Sequence, residues 1–163
     1  MNWNFDFVRV PKETWTELPL EDLAMKYDTV EEHGLTLLKL GMAEEHGFDM
    51  VGVADSQSLF RELFVTLSVI GGATERVVIG PTVTNPLTRH PAVMASGLAS
   101  IQEIAGGRAF LGIATGDSAI YNLGERPRGL AGLKEYIQAL RRLFAGEHTE
   151  FGGKPIHTRW IGG

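Results

Sequence analysis

The sequence predicts an α/β protein organised on a parallel sheet, and three observations carry that expectation. The first is a pair of short apolar runs, at 77–80 and 109–114, that break off into Gly, Thr, Asn, Asp or Ser. A buried parallel strand gives way to a polar loop at its carboxyl end in this manner. The second is a regular alternation of strand-like and helix-like stretches along the chain. The third is the length of the helical stretches, about 12 to 16 residues, which suits crossovers that return the chain to the same sheet.

Taken in order, Phe5-Asp6-Phe7-Val8-Arg9-Val10 alternates with period two and Pro11 stops the run, so residues 5–10 read as a first strand. A polar stretch with Pro11, Trp15 and Pro19 follows. Thr29 and Glu32 have capping-box spacing, and Leu35, Leu37, Leu38, Leu40 and Ala43 supply an apolar helix face up to Gly47. Gly34 and Gly41 weaken that helix by about 1 kcal/mol each. Residues 50–54 read as a second strand, 59–73 as a helix, 76–80 as a strand, 92–105 as a helix with Pro91 suited to its first turn, 109–114 as a strand and 130–144 as a helix. Beyond Phe144 the pattern changes, and 146–155 reads as a hairpin or loop.

Four β-α units in succession fit two architectures, an open doubly wound sheet or part of a (β/α)8 barrel. The helix at 59–73 bears on the choice, because apolar residues occupy most of its circumference and require cover on two sides. Cover comes from a barrel inside and a partner subunit outside, or from a further layer of the same chain. A parallel sheet left open exposes a strand edge and an apolar face, both of which need covering.

Composition narrows the function. With 163 residues and 44% apolar content the chain buries one substantial core, and the reading is of a single domain over 1–163 with 146–163 as an extension. A formal charge of −5 without a Lys/Arg cluster argues against a nucleic-acid partner. The absence of cysteine excludes disulfides, thiolate metal sites and a cysteine nucleophile. The N-terminus lacks the basic start and apolar run of a signal peptide, and no stretch approaches the ~20 apolar residues of a membrane span. The expectation is a cytoplasmic protein with neither membrane nor nucleic acid as a partner.

No Gly-x-Gly-x-x-Gly fingerprint, phosphate loop or Gly-x-Ser-x-Gly elbow occurs, which leaves nucleotide hydrolysis and serine esterase chemistry unsupported. His33, His46, His148 and His157 show no metal-ligand spacing. His90 sits between a strand end and a helix start, where it either touches a ligand rim or serves as a hydrogen-bonded structural residue. Glu31, Glu32, Glu44 and Glu45 read as solvated helix faces. Asp117 either faces a ligand that approaches the backbone beside Gly116 or caps the next helical turn with its carboxylate.

Three strings taken together carry a specific resemblance: 43–57, 74–91 and 106–118, the middle one containing Gly80-Pro81-Thr82-Val83-Thr84-Asn85-Pro86. In order and spacing they resemble the bacterial luciferase-like monooxygenase superfamily, and within it the branch similar to methylene-tetrahydromethanopterin reductase. The likeness runs from about Val30 to Gly163. It implies the first four β-α units of a (β/α)8 barrel, with parallel strands and outer helices. It further implies FMN or a deazaflavin (coenzyme F420) at the carboxyl ends of the strands, and a hydride moved or oxygen activated on a small organic substrate.

By the same resemblance, the loop at 82–84 forms a bulge behind the flavin-type ring, with a non-prolyl cis peptide at Thr82–Val83. Asp55, Thr82, Val83, Thr84, Asn85, Gly116, Asp117 and Ser118 are the expected cofactor-binding positions. Asp55, Gln57 and Asp117 are the candidates for catalysis, with no acid or base assigned among them and no metal expected. Some deazaflavin sugar-phosphate dehydrogenases of the superfamily carry a catalytic histidine just past the second strand, where this chain has Asp55, Ser56 and Gln57. A homodimer, or a second chain completing the barrel, is the implied assembly. The alternative from another class is a non-catalytic half-barrel serving as a dimerisation or ligand-binding module, and a flavodoxin-like domain ranks below both.

Overall fold

The structure, a computed structural model, describes residues 43–57 and 59–158. The strand expected at 5–10 and most of the helix expected at 29–47 lie outside them. Residues 43–45 are helical, and the chain then closes on Gly47 with the Gly47 N–H donating to Glu44 O and the Phe48 N–H to Ala43 O. This bond pair defines a Schellman end, whose left-handed residue (φ +80° at Gly47) is inexpensive only for glycine. The same pair recurs at Gly106 and Gly146.

Strands β1 (Met50–Val53) and β2 (Val78–Pro81) pair in parallel, Met50 opposite Val78 and Gly52 opposite Gly80. The run expected as a strand at 109–114 lies along the other side of β2, also parallel. Ile79 N–H donates to Arg108 O at 2.8 Å, Phe110 N–H to Ile79 O at 2.9 Å and Gly112 N–H to Pro81 O at 3.2 Å. It does not form a continuous strand, for a local reason. Pro81 has no N–H to give, and the next pairing residue is Thr84, which donates to Gly112 O at 2.9 Å and accepts from Ala114 N–H at 3.0 Å. An unbroken parallel ladder would place residue 83 there, so β2 runs into a bulge of one extra residue.

Helix α1 (Leu63–Ala73) begins later than the sequence suggests. Residues 59 and 60 turn back onto the Ser56 carbonyl, and the Glu62 carboxylate accepts the Val65 N–H at 2.9 Å as the cap. Helix α2 (Pro91–Ile104) starts on Pro91 as anticipated, followed by α3 (Ser118–Tyr121), which the sequence reading did not anticipate, and α4 (Leu130–Phe144) with the expected bounds. The hairpin expected near 146–155 is β3 (Thr149–Phe151) against β4 (Lys154–Ile156), antiparallel about Gly152 and Gly153.

Register decides where the core lies. Val51 opposes Ile79 and Ile79 opposes Ala109, so the odd-numbered residues of all three segments share one face. Leu63, Leu67 and Ile70 of α1, with Ile101 and Ala105 of α2, bury Val53, Val77 and Ile79 on that face. Met94, Ala95 and Leu98 of α2 pack with Tyr136, Leu140 and Phe144 of α4 over Leu111 and Ile113 of the same face. The even-numbered residues Met50, Gly52, Val78, Gly80, Phe110 and Gly112 take no part in either cluster. The helices that build the core therefore pack on one side of the sheet.

One arginine and one glutamate side chain tie together the turn between α1 and β2. Arg108 donates to Gly71 O and Thr74 O at the end of α1 and to Val77 O just before β2. Glu44, expected as a solvated face, instead accepts backbone N–H bonds from Glu75, Arg76 and Val77. The bonds from Val77 and Arg76 hold its carboxyl down at about 2. The correction follows from tertiary structure alone: the turn before β2 points three donors at a carboxylate more than thirty residues away.

Candidate functional site

The carboxyl ends of β1, β2 and the 109–114 segment form one rim, and the bulge stands in its middle. The bulge alters which way each side chain points. A Cβ on Gly52 would fall 1.8 Å from Thr82 Oγ1, and one on Gly112 would fall 3.4 Å from Val83 Cγ1. Thr82 and Val83 therefore both project on the even-numbered face, away from the helices. Thr84, paired with Ile113, turns to the helix side and is fully buried. The Thr82–Val83 peptide is cis, as the resemblance implied. Val83 keeps 43% of its surface exposed, an apolar side chain on a polar rim.

Beneath the bulge lies a buried ion pair. Asp55, just past β1, has a side chain only 2% exposed, and its Oδ2 accepts from Thr84 Oγ1 at 2.6 Å and from Arg89 Nη1. Its Oδ1 accepts from Gln57 Nε2 at 2.7 Å. The second Arg89 nitrogen reaches Glu62 Oε1 at 2.7 Å, the guanidinium lies 5.3 Å from the Phe64 ring centroid, and Tyr136 donates its hydroxyl to the Arg89 carbonyl at 3.0 Å. Burial works against the Arg89 charge, but Asp55 and Glu62 together raise its pKa. Glu62 likewise resists burial and is lowered by the Val65 N–H and Arg89. Burial pushes the Tyr136 phenol up.

A second set of groups joins the loops on either side. Ser56 Oγ lies 3.5 Å from Ser118 Oγ, and Ser118 donates to Asp117 Oδ1 at 3.1 Å. Asp117 precedes α3, yet its carboxylate makes no capping bond; its main-chain carbonyl accepts from Ile120 and Tyr121 instead. The carboxylate is exposed on the rim. Gly116 has φ +109°, and a Cβ there would meet Ile120 at 2.5 Å, so this turn requires glycine twice over. Asn85 folds inward and accepts the Leu87 and Thr88 N–H groups through Oδ1. His90 is the hydrogen-bonded residue of its two readings: Nδ1 caps α2 through the Ala92 N–H, and the ring stands edge-on to Phe151.

The chain's relatives can now be set beside this geometry. Residues 40–160 match the family described as luciferase-like monooxygenase. The chain belongs to that family. Among its curated relatives, a 5,10-methylenetetrahydromethanopterin reductase of Methanolobus tindarius is 40% identical over 119 residues, covering 71% of this chain and 36% of the relative. An F420-dependent glucose-6-phosphate dehydrogenase of Nakamurella multipartita is 35% identical over 133 residues, covering 71% and 38%. Among solved structures, the coenzyme F420 dependent tetrahydromethanopterin reductase of Methanopyrus kandleri superposes with a TM-score of 0.66 at 26% identity, over 80% of this chain and 42% of that one. An FMN-bound Baeyer-Villiger monooxygenase component from Pseudomonas putida shares the fold, with a TM-score of 0.66 at 19% identity. The chain thus spans well under half the length of these relatives.

In this luciferase-like chain, the structure gathers Asp55, Thr84 and Gln57 in the buried network, and places Thr82, Val83, Asp117 and Ser118 on the rim above. Sequence reasoning missed Arg89, which pairs with Asp55, and Glu62 and Tyr136, which hold Arg89. The one sequence signal for them was a lone arginine in an uncharged strand-to-helix joint, Thr88-Arg89-His90-Pro91. Among the described residues no group of three or more His, Asp or Glu is placed to hold a metal ion, and no helix is long and apolar enough to cross a membrane.

Proposed function

We propose that these residues belong to successive β-α units of a (β/α)8 barrel, and that the chain serves a flavin- or deazaflavin-dependent oxidoreductase acting on a small organic substrate. Two features support the barrel reading. The core-forming helices pack on one side of the sheet, and the opposite face, with Gly52 paired to Gly80 beside Gly112, enters neither core cluster, as suits a face turned to a barrel interior. Active sites in such barrels sit at the carboxyl ends of the strands, where this rim lies.

The observation that carries the cofactor reading is the pair Thr82 and Val83, consecutive side chains on the same face, with Val83 half exposed. They form a small apolar step suited to one face of a flat ring. FMN or F420 bound there supplies the redox chemistry of the reaction. The chain's own residues position and exclude water: Val83 backs the ring, Gly116 allows close approach of the backbone, and Ser56, Asp117 and Ser118 offer hydrogen bonds to the ring edge or substrate. Gln57 commits its amide nitrogen to Asp55 and keeps a buried carbonyl without a donor among the described residues, an acceptor available to a bound N–H or O–H.

The same reading assigns the outer face of α1 to a subunit contact, since Val65 and Val69 stand exposed one turn apart. Fluorescence and native-mass titration of the chain with FMN and with F420, followed by turnover assays with either bound, tests the proposal. Capture of one cofactor with hydride transfer or oxygen consumption is expected. An oligomer that ignores both cofactors identifies the non-catalytic half-barrel module instead.

A further inference from the structure

We propose that Thr84, Asp55 and Arg89 act together as a positioning device that fixes the Thr82–Val83 bulge, so that Asp55 serves this site as a buried anchor and not as an acid or base. The cofactor part of this inference rests on the function proposed above; the mechanical part does not.

The extra residue in β2 creates the need for the device. A one-residue shift turns Thr84 from the open face to the helix side, where an unpaired hydroxyl is costly. Asp55 Oδ2 meets it at 2.6 Å. That contact ties the end of the bulge to β1, while the Thr84 main chain is tied to Gly112 and Ala114 on the other side. Thr82 N–H, donating to Val53 O at 2.9 Å, fixes the beginning. The two exposed bulge residues are therefore held at both ends and on both flanks.

A buried carboxylate is tolerable only with a compensating charge. Arg89 supplies it from the joint leading into α2, and is itself held by Glu62 at the start of α1 and by Tyr136 of α4. The two oxygens of the carboxylate thus accept three donors, from Gln57, Thr84 and Arg89. A buried group so committed is poorly placed to exchange a proton with a ligand, whereas Asp117 lies open on the rim.

The test uses Thr84→Val, which removes the hydroxyl at nearly constant volume, Thr84→Ser, which keeps it, and Arg89→Lys, which keeps the charge without the two-pronged reach. Amide exchange is followed at Thr82, position 84 and Ala114, with Val78 as an internal reference inside the β1–β2 ladder, and FMN and F420 affinities are measured on the same samples. The expected result is exchange faster by about tenfold or more at the three bulge amides in Thr84→Val and Arg89→Lys, as suits loss of a hydrogen bond to a charged group. Val78 stays protected, Thr84→Ser restores the wild-type pattern, and cofactor affinity falls by a similar factor. Unchanged exchange in Thr84→Val overturns the proposal, as does exchange raised equally at Val78 or global unfolding in both Thr84 variants, each of which assigns the network to general stability. If the wild-type chain binds neither FMN nor F420, the cofactor reading fails, and the amide pattern alone decides whether the device exists.

Discussion

Between the ordinary glutamate range and about pH 2, Glu44 is ionised in the folded chain while its unfolded counterpart is protonated. Its folded carboxyl titrates at about 2 against 4.5 unfolded, so the unfolded state binds more protons in that window and stability rises with pH. The contribution is complete above about pH 4.5 and is lost as pH falls toward 2. Glu44→Gln keeps an acceptor and removes the charge, so urea midpoints of the two proteins should differ most at pH 6 and converge toward pH 3. A gap that stays constant over that range removes the assignment. Tyr136→Phe leaves the Arg89 carbonyl without its donor and should cost about 1–2 kcal/mol in denaturant unfolding. At this scale the sequence was least legible. Glu44 lies 33 positions from Val77, and Arg89 lies 34 from Asp55 and 27 from Glu62, so only folding reveals what each charge is for. Asp55 and Asp117 look alike in sequence, both ending apolar runs, yet one is buried in an ion pair and the other stands open.

Elements were read with more success, because apolar periodicity is a local property. Helix α4 has the bounds its pattern suggested, and Pro91 opens α2. The departures have local causes: a side-chain cap at Glu62 that shortens α1, a four-residue α3 too brief for a periodic signal, and Pro81 with the bulge interrupting the pairing of 109–114. The bulge itself came from the resemblance and not from periodicity, since Thr82-Val83-Thr84 is an ordinary strand sequence. Glycines in the sheet test the close packing at its open face. Gly80→Ala would place a Cβ 2.2 Å from the Phe110 carbonyl oxygen, a main-chain atom that moves only with its strand, and should cost about 1–3 kcal/mol. Gly52→Ala would instead collide with the Thr82 side chain. Its expected signature is a weakened FMN or F420 affinity together with a loss of stability smaller than that of Gly80→Ala, read by ligand titration and urea unfolding. The reverse order would show that Thr82 is not part of the rim.

For the molecule as a whole, the alternation of strands and helices was enough to foresee a parallel α/β fold, and family membership agrees with it. The alternation alone did not distinguish an open sheet from a barrel wall, because both use the same β-α unit; only the all-round apolar pattern at 59–73 bore on the choice. The proposed barrel draws its support from three dimensions: where the helices pack and which face they leave. Cover for the outside of α1 is testable directly. Val65→Asp with Val69→Asp should halve the mass seen by light scattering if α1 forms a twofold contact, and an unchanged mass places the contact elsewhere. One further consequence comes from the glycine-closed helix ends at Gly47, Gly106 and Gly146. The first two lead into the parallel segments at 50–53 and 109–114 and the third into β3, and no neighbour lies within 4 Å of a Cβ placed on any of the three, so their demand is for backbone handedness alone. The end of the sheet where strands begin is thus set by turns of fixed handedness, while the end where strands finish is built, apart from the bulge and Gly116, from loops without that demand. A saturation-mutagenesis map of this chain would divide along that line, with intolerance concentrated at the entry turns and freedom in the exit loops beyond the anchored bulge. Such a division lets new substrate preferences arise by drift in one rim without endangering the other.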